Sequence, residues 1–271
     1  MRKLPIIALA LIIFSCSTKP SAENDFSDAP PDNSEFVEYN NPPAEGFNQE
    51  GSDLTAVLLA DKCMIAMGGR EEWDNTRYLS WNFFDRRNHL WDKTTGNVRI
   101  EDPANDLTVL MNINDKSGKV FKNGAIVSDS ADYFLEKGYG WWVNDSYWLV
   151  MPFKLKDSGV TLSYLGEDTT NTGGSADLLK LTFEGVGLTP QNIYEVWLDT
   201  DTKLVTQWAY YPDSDAEEPR FVTPWARYEK YGGLMLSSNR GDYNLSNISV
   251  LEEVPSDIFE NYDTPISSII N

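Results

Sequence analysis

Apolar and polar residues change their spacing several times along the chain, and each change marks an element. Residues 54–67 form an apolar stretch that Ser52 or Asp53 can cap and that Gly68-Gly69, suited to a left-handed C-terminal residue, ends. This predicts a helix, with 71–75 adding one further turn. The period then falls to two. Leu79, Trp81 and Phe83 alternate with Ser80 and Asn82, the pattern of a half-buried strand. Leu107, Val109, Met111 and Ile113 share one face in the same way, and Asn123-Gly124 makes a tight turn between 119–121 and 125–127. Further on, Leu179, Leu181 and Phe183 alternate with Lys180, Thr182 and Glu184, while 194–198 and 204–210 flank the polar turn 199–203. Segments 221–231, 234–238 and 248–252 complete a meander, with a hairpin at Gly232-Gly233. Strands so regularly spaced predict a mainly β (α+β) fold, a curved antiparallel sheet or incomplete β-barrel whose concave face is plugged or covered by helices. The 53–271 segment is long enough for one domain with a substantial core.

Residues 130–153 break the strand pattern, with eight aromatics in twenty-four residues. Phe134, Trp141 and Trp148 recur every seven residues, and so do Leu135, Trp142 and Leu149, which is helical spacing. Gly138 and Gly140 are expected to divide this stretch into two short helices, and Pro152 to end the second. The two rows lie side by side and form one broad apolar face, with Glu136, Lys137, Asn144 and Asp145 assigned elsewhere. Such a face needs cover. Either it packs into the concave sheet as core, or it lids a cavity that admits an acyl chain or another apolar ligand. Trp81, Phe83, Met111, Phe134, Trp141, Trp148, Leu181 and Phe183 are the candidate lining of that cavity. Along 192–198 the alternation is imperfect, and a register error of one residue would reverse the faces.

The first sixteen residues change the setting. Arg2 and Lys3 precede an apolar run of about eleven residues, well short of the roughly 20 that a spanning helix needs. Ile13-Phe14-Ser15-Cys16 follows. It resembles the lipobox of bacterial lipoproteins, with Phe14 where a smaller residue is usual. The resemblance implies a signal peptide over 1–15, a lipid on Cys16, and, from Ser17 in place of Asp, passage to the outer membrane. Removing 1–15 leaves 20 basic and 42 acidic side chains, a net charge of −22. Such a field repels phosphate backbones and anionic headgroups, so nucleic acid is not an expected partner and attachment to a membrane falls to the acyl chains. Residues 17–52 hold five prolines, eight acidic residues and one lysine. That composition predicts that 16–52 is a lipidated, disordered tether that holds the domain away from the bilayer, facing the periplasm or the cell surface.

Candidate chemistry is sparse. Cys63 is the one cysteine besides Cys16, so no disulfide is available to the mature chain, and it reads as a small buried hydrophobe. His89, placed on a strand, is the sole histidine. No Gly-x-Ser-x-Gly, His-Glu-x-x-His or phosphate loop is present. Glu71-Glu72 and the group Asp213, Asp215, Glu217 and Glu218 can serve a carboxylate-based hydrolase only if they converge; otherwise they are solvated surface. The turn at Asp199 lacks the Gly and closing Glu of an EF-hand loop, and no metal or cofactor is expected. Exposed Trp and Tyr stacking on sugars would instead make a glycan-binding or protein-docking module.

Three segments carry a family resemblance. The run from Ile193 to Trp208 (IYEVWLDTDTKLVTQW), the Tyr-Gly-Gly turn and returning strand of 228–240, and 248–259 with Val-Leu-Glu-Glu-Val-Pro-Ser-Asp-Ile-Phe resemble the outer-membrane lipoprotein-sorting, LolA/LolB-like superfamily. The opening helix with Met-Gly-Gly and Trp73 is similar too, so the likeness spans roughly 53–260. It implies an unclosed barrel around an apolar cavity plugged by helices, and a non-catalytic monomer that binds or transfers a lipid or the acyl chain of a lipoprotein. The lipid-bearing Cys16 and the long tether depart from the soluble carriers of that family.

Overall fold

The computed structural model describes residues 40–270, so Cys16, the expected signal peptide and the tether as far as residue 39 lie outside the described residues. Two helices come first, α1 (Leu54–Ala66) and α2 (Arg70–Asn75). Six strands follow: β1 (Tyr78–Phe83), β2 (Arg87–Asp92), β3 (Asn97–Asp102), β4 (Leu107–Asn112), β5 (Gly118–Lys122) and β6 (Ala125–Ile126). After α3 (Ala131–Val150) come β7 (Val160–Thr169), β8 (Ser175–Phe183), β9 (Ile193–Asp199), β10 (Val205–Tyr211) and β11 (Phe221–Pro224). The last three are β12 (Ala226–Tyr231), β13 (Leu234–Arg240) and β14 (Tyr243–Leu251).

The strands form two antiparallel sheets, ordered β12-β13-β14-β1-β2-β3-β4-β5-β6 and β11-β10-β9-β8-β7. Neither closes. Only Trp225, fully buried, separates β11 from β12, so the chain turns from one sheet into the other at that residue and the run expected over 221–231 is two strands. Strands β6 and β7 are the far edges of the two sheets, and α3 is the connection between them. The expected turn at Asn123-Gly124 has positive φ at both residues, +51° and +73°, as a two-residue hairpin demands. On β9, Tyr194 pairs with Leu181 and Val196 with Leu179, which places Tyr194, Val196 and Leu198 on the inner face.

Two expectations change. Helix α3 is one continuous helix of 20 residues rather than two. A glycine inside a helix costs only about 1 kcal/mol, and tertiary packing offsets it. Gly138 is buried on β4, where an added Cβ would stand 2.9 Å from Val109 Cγ1, so the missing side chain is what lets helix and sheet approach. Pro152 ends the helix as expected, inside the 3-10 turn Met151–Lys154. Secondly, 40–52 packs on the folded body instead of extending the tether. Phe47 joins the core, and backbone bonds tie Ala44 N–H to the Lys156 carbonyl and Asn48 N–H to the Val160 carbonyl, at 2.9 and 3.0 Å. One aromatic ring and these backbone partners outweigh a composition that otherwise favours disorder.

At the start of α1, Asp53 occupies the N-cap position, but its carboxylate accepts the Tyr164 N–H of β7 (2.8 Å), and no side-chain cap bond is made to the helix. Helix α1 is thereby fixed to the five-stranded sheet. It ends at Gly68 and Gly69, both at positive φ, and a Cβ on Gly68 would strike the Gly233 carbonyl oxygen at 2.4 Å. Cys63 is buried in the core cluster, where burial pushes its thiol pKa up to about 12.

Candidate functional site

The inner face of the nine-stranded sheet meets α3. Register places Trp81 opposite His89, Phe83 opposite Arg87 and Leu79 opposite Trp91, so these six side chains share that face. Asp145, fully buried, comes down onto it from α3. Arg87 grips its carboxylate twice, Nε at 2.7 Å and Nη2 at 3.0 Å, and His89 Nε2 lies 2.8 Å from Oδ2. The His89 ring stacks on Trp81 with centroids 4.6 Å apart. Burial pushes the Asp145 carboxyl upward, but the hydrogen bonds and charge of its partners outweigh it and hold the group below the usual carboxylate range. A buried pair of this kind is costly to assemble and costly to break from one side, so it fixes register more than it adds stability. It pins the helix to the sheet.

Asp145 belongs at the centre of the apolar face, not elsewhere as expected. It is three residues from Trp142 and Trp148 and four from Trp141 and Leu149. An acidic residue so placed, in a chain with one histidine, was the available signal for this clamp. At the end of α3 a second buried cation, Arg240 of β13, donates to the Trp148 carbonyl at 2.6 Å and stacks on Trp225 at 3.5 Å. Burial pulls its pKa down. No spacing in the sequence points to that contact.

The other side of α3 is different. Tyr147 lies 5.4 Å from Tyr194, while Trp148 lies 4.7 Å from Trp208 and 5.3 Å from Phe221. Among the described residues no hydrogen bond or ion pair joins α3 to the five-stranded sheet. Trp148, Phe221, Tyr194, Phe183 and Phe84 are half-buried, and Tyr243, 5.0 Å from Phe84, is exposed. The Tyr147 hydroxyl is buried without a partner among the described residues.

The eight predicted lining residues divide accordingly. Trp81, Phe83, Met111 and Leu181 are buried in the core; Phe134, Trp141, Trp148 and Phe183 are half-buried and pack against it. Phe83 and Trp148 meet at 6.5 Å. Trp141 stands apart, with the Arg87 guanidinium 4.8 Å from its ring. Phe134 faces Lys122, 5.6 Å away. Tyr147, Tyr194, Trp208, Phe221 and Phe84, which sequence spacing did not single out, complete the aromatic cluster. Glu71, Glu72, Asp213, Asp215, Glu217 and Glu218 are exposed.

Two cavities lie outside that cluster, and none of the eight residues lines either of them. One, of about 350 Å³, sits beside the C-terminal segment, where buried Arg99 donates to the carbonyls of Ile258, Asn261 and Tyr262. The other, of about 230 Å³, is enclosed by α1, α2, the end of β2, the 151–157 turn and residues 41–44. Its walls mix Met64, Trp73, Trp91 and Phe153 with Arg70, Lys93, Lys154 and Lys156.

No protein-family model and no curated protein matches this chain. Among solved structures it is similar to a DUF1329 family protein from Desulfovibrio piger, at 14% identity and a TM-score of 0.42, covering 78% of this chain and 99% of the other. It is similar also to a putative outer membrane lipoprotein-sorting protein domain from Vibrio parahaemolyticus (9%, TM-score 0.38, 76% and 96% covered). A LolA superfamily protein from Nitrosomonas europaea gives 11%, 0.37, 76% and 97%. The structural neighbours of this chain are thus DUF1329 and LolA-superfamily proteins.

Proposed function

We propose that this chain is a lipoprotein anchored through Cys16 to the outer membrane, and that its unclosed barrel binds and hands on an apolar ligand, without catalysis, between α3 and the five-stranded sheet. One observation carries the reading. Along that side α3 packs through aromatic rings with no hydrogen bond among the described residues, and such rings can part around an acyl chain without breaking one. An acyl chain entering there would gain about 25 cal/mol for each Å² of apolar surface removed from water. The half-buried rings of Trp148, Phe221 and Phe183 offer such surface, and the unpartnered Tyr147 hydroxyl offers a polar contact for a carbonyl. A glycan module calls for a row of exposed aromatics, and among the described residues only Tyr133 and Tyr243, on separate elements, are exposed.

Native mass spectrometry of the full-length protein from a bacterial host, followed by organic extraction, tests this. The expected result is a stoichiometric lipid or acylated peptide that is lost in Trp148→Lys while the thermal transition persists. A folded wild-type protein that carries no lipid, and takes up none from vesicles, would overturn the reading.

A further inference from the structure

The cavity beside α1 has a character of its own. In a chain of net charge −20, its walls carry Arg70, Lys93, Lys154 and Lys156 against a single acidic residue, Asp157. Three of these cations are already paired: Arg70 with Asp74 at 2.8 Å, Lys154 with Asp157, and Lys156 with Asp61. Lys93 has no such carboxylate among the described residues. Its ammonium donates to the Trp73 carbonyl at the end of α2 and lies 3.5 Å from the centroid of the Trp73 ring. The Lys93 side chain is half-buried, and its ammonium has three protons of which that carbonyl takes one. Burial lowers its pKa to about 8; the Asp74 charge opposes the fall, and Arg70 and Lys154 add to it. Trp91 lines the same cavity, is 8% exposed, and its indole N–H has no acceptor among the described residues. Apart from Asn41, whose amide donates to Asp61, the rest of the wall is apolar, with Ala60, Met64, Pro152, Phe153 and Leu155.

We propose that this cavity binds a small anionic amphiphile, its carboxylate or phosphate on Lys93 and its short apolar tail against Met64, Phe153 and Leu155. The volume of about 230 Å³ suits a head group with a short tail, since pockets for drug-sized ligands run to roughly 300–1,000 Å³. Both halves of the ligand are needed. A bare anion leaves the apolar wall uncovered, and a neutral chain leaves Lys93 without a counter-charge. The site is separate from the aromatic side of α3, so this inference does not rest on the function proposed above.

Isothermal titration of the full-length protein with hexanoate, hexyl phosphate, inorganic phosphate and hexanol tests it. Saturable binding of hexanoate or hexyl phosphate is expected, at least tenfold tighter than of the other two, and at least tenfold weaker in Lys93→Met. Lys93→Arg should retain binding. A preference for hexanoate identifies a carboxylate ligand, and a preference for hexyl phosphate identifies a phosphate one. The wild-type protein supplies a control that needs no variant to fold: affinity should fall as pH rises through and beyond the Lys93 pKa of about 8. The other charged groups around the cavity are Arg70, Lys154, Lys156, Asp61, Asp74 and Asp157. Hexanol binding as tightly as hexanoate, inorganic phosphate binding as tightly as hexyl phosphate, a flat pH profile, or undiminished binding in folded Lys93→Met would each overturn the proposal.

Discussion

The two sides of α3 are held by different physics. Toward the nine-stranded sheet the helix is locked, by Gly138 seated on Val109 and by Asp145 held between Arg87 and His89. Toward the five-stranded sheet it packs on Tyr194, Trp208 and Phe221 through ring contacts, with no hydrogen bond or ion pair among the described residues. A buried polar lock requires its partners in one geometry, whereas aromatic pairs are held by buried apolar area with only a modest preference for offset or edge-to-face arrangement. The polar contacts of α3 are thus all made away from the five-stranded sheet among the described residues, and on the proposed function the ligand would enter on the side without them.

Breaking the lock should give the largest effect. Asp145→Ala strands Arg87 and His89 in the core and is expected to cost about 3–5 kcal/mol in urea unfolding. The acid limb sharpens the point. Because the folded Asp145 pKa lies below its unfolded value, its stabilisation is present above the usual carboxylate pKa of about 3.9 and is lost as pH falls through the lower folded value. Stability of the wild type should therefore decline below about pH 4, with a shallower decline in Asp145→Asn. Removing Trp148 on the loose side tests the contrast directly: Trp148→Ala is expected to cost about 2 kcal/mol, less than a fully buried aromatic, and to leave the acid limb unchanged. The two glycines divide the helix more finely. Gly138→Ala forces a Cβ against Val109 and should destabilise by about 1–3 kcal/mol. In Gly140→Ala the new Cβ meets only Leu188, at 3.6 Å, so helix propensity should prevail and stabilise by about 0.5–1 kcal/mol. Equal and same-signed effects at both positions, read from thermal unfolding, would mean that α3 is not held asymmetrically.

Much of the fold was legible because alternation and heptad spacing are local. The strand faces at Leu79-Trp81-Phe83 and Leu179-Leu181-Phe183, the turn at Asn123-Gly124 and the end of α1 at Gly68 all stand where spacing put them. The sites were legible only in part. Asp145 follows from the same arithmetic that gave the aromatic rows, but its chemistry emerges only when β2 delivers Arg87 and His89 to it from 58 and 56 residues away. The cavity around Lys93 draws on five separate segments, and no window of sequence contains it.

The sequence by itself determined the alternation of the strands, the aromatic helix between two groups of them, the strong negative charge and the lipobox-like start. It did so because backbone period, composition and short motifs are properties of neighbouring residues. The tertiary structure decided that α3 is unbroken, that 40–52 joins the body, that the aromatic face is locked on one side only, and that the basic pocket lies away from it. Each of those outcomes depends on groups far apart in the chain meeting at van der Waals or hydrogen-bond distance, where a missing Cβ or one buried carboxylate outweighs local propensity.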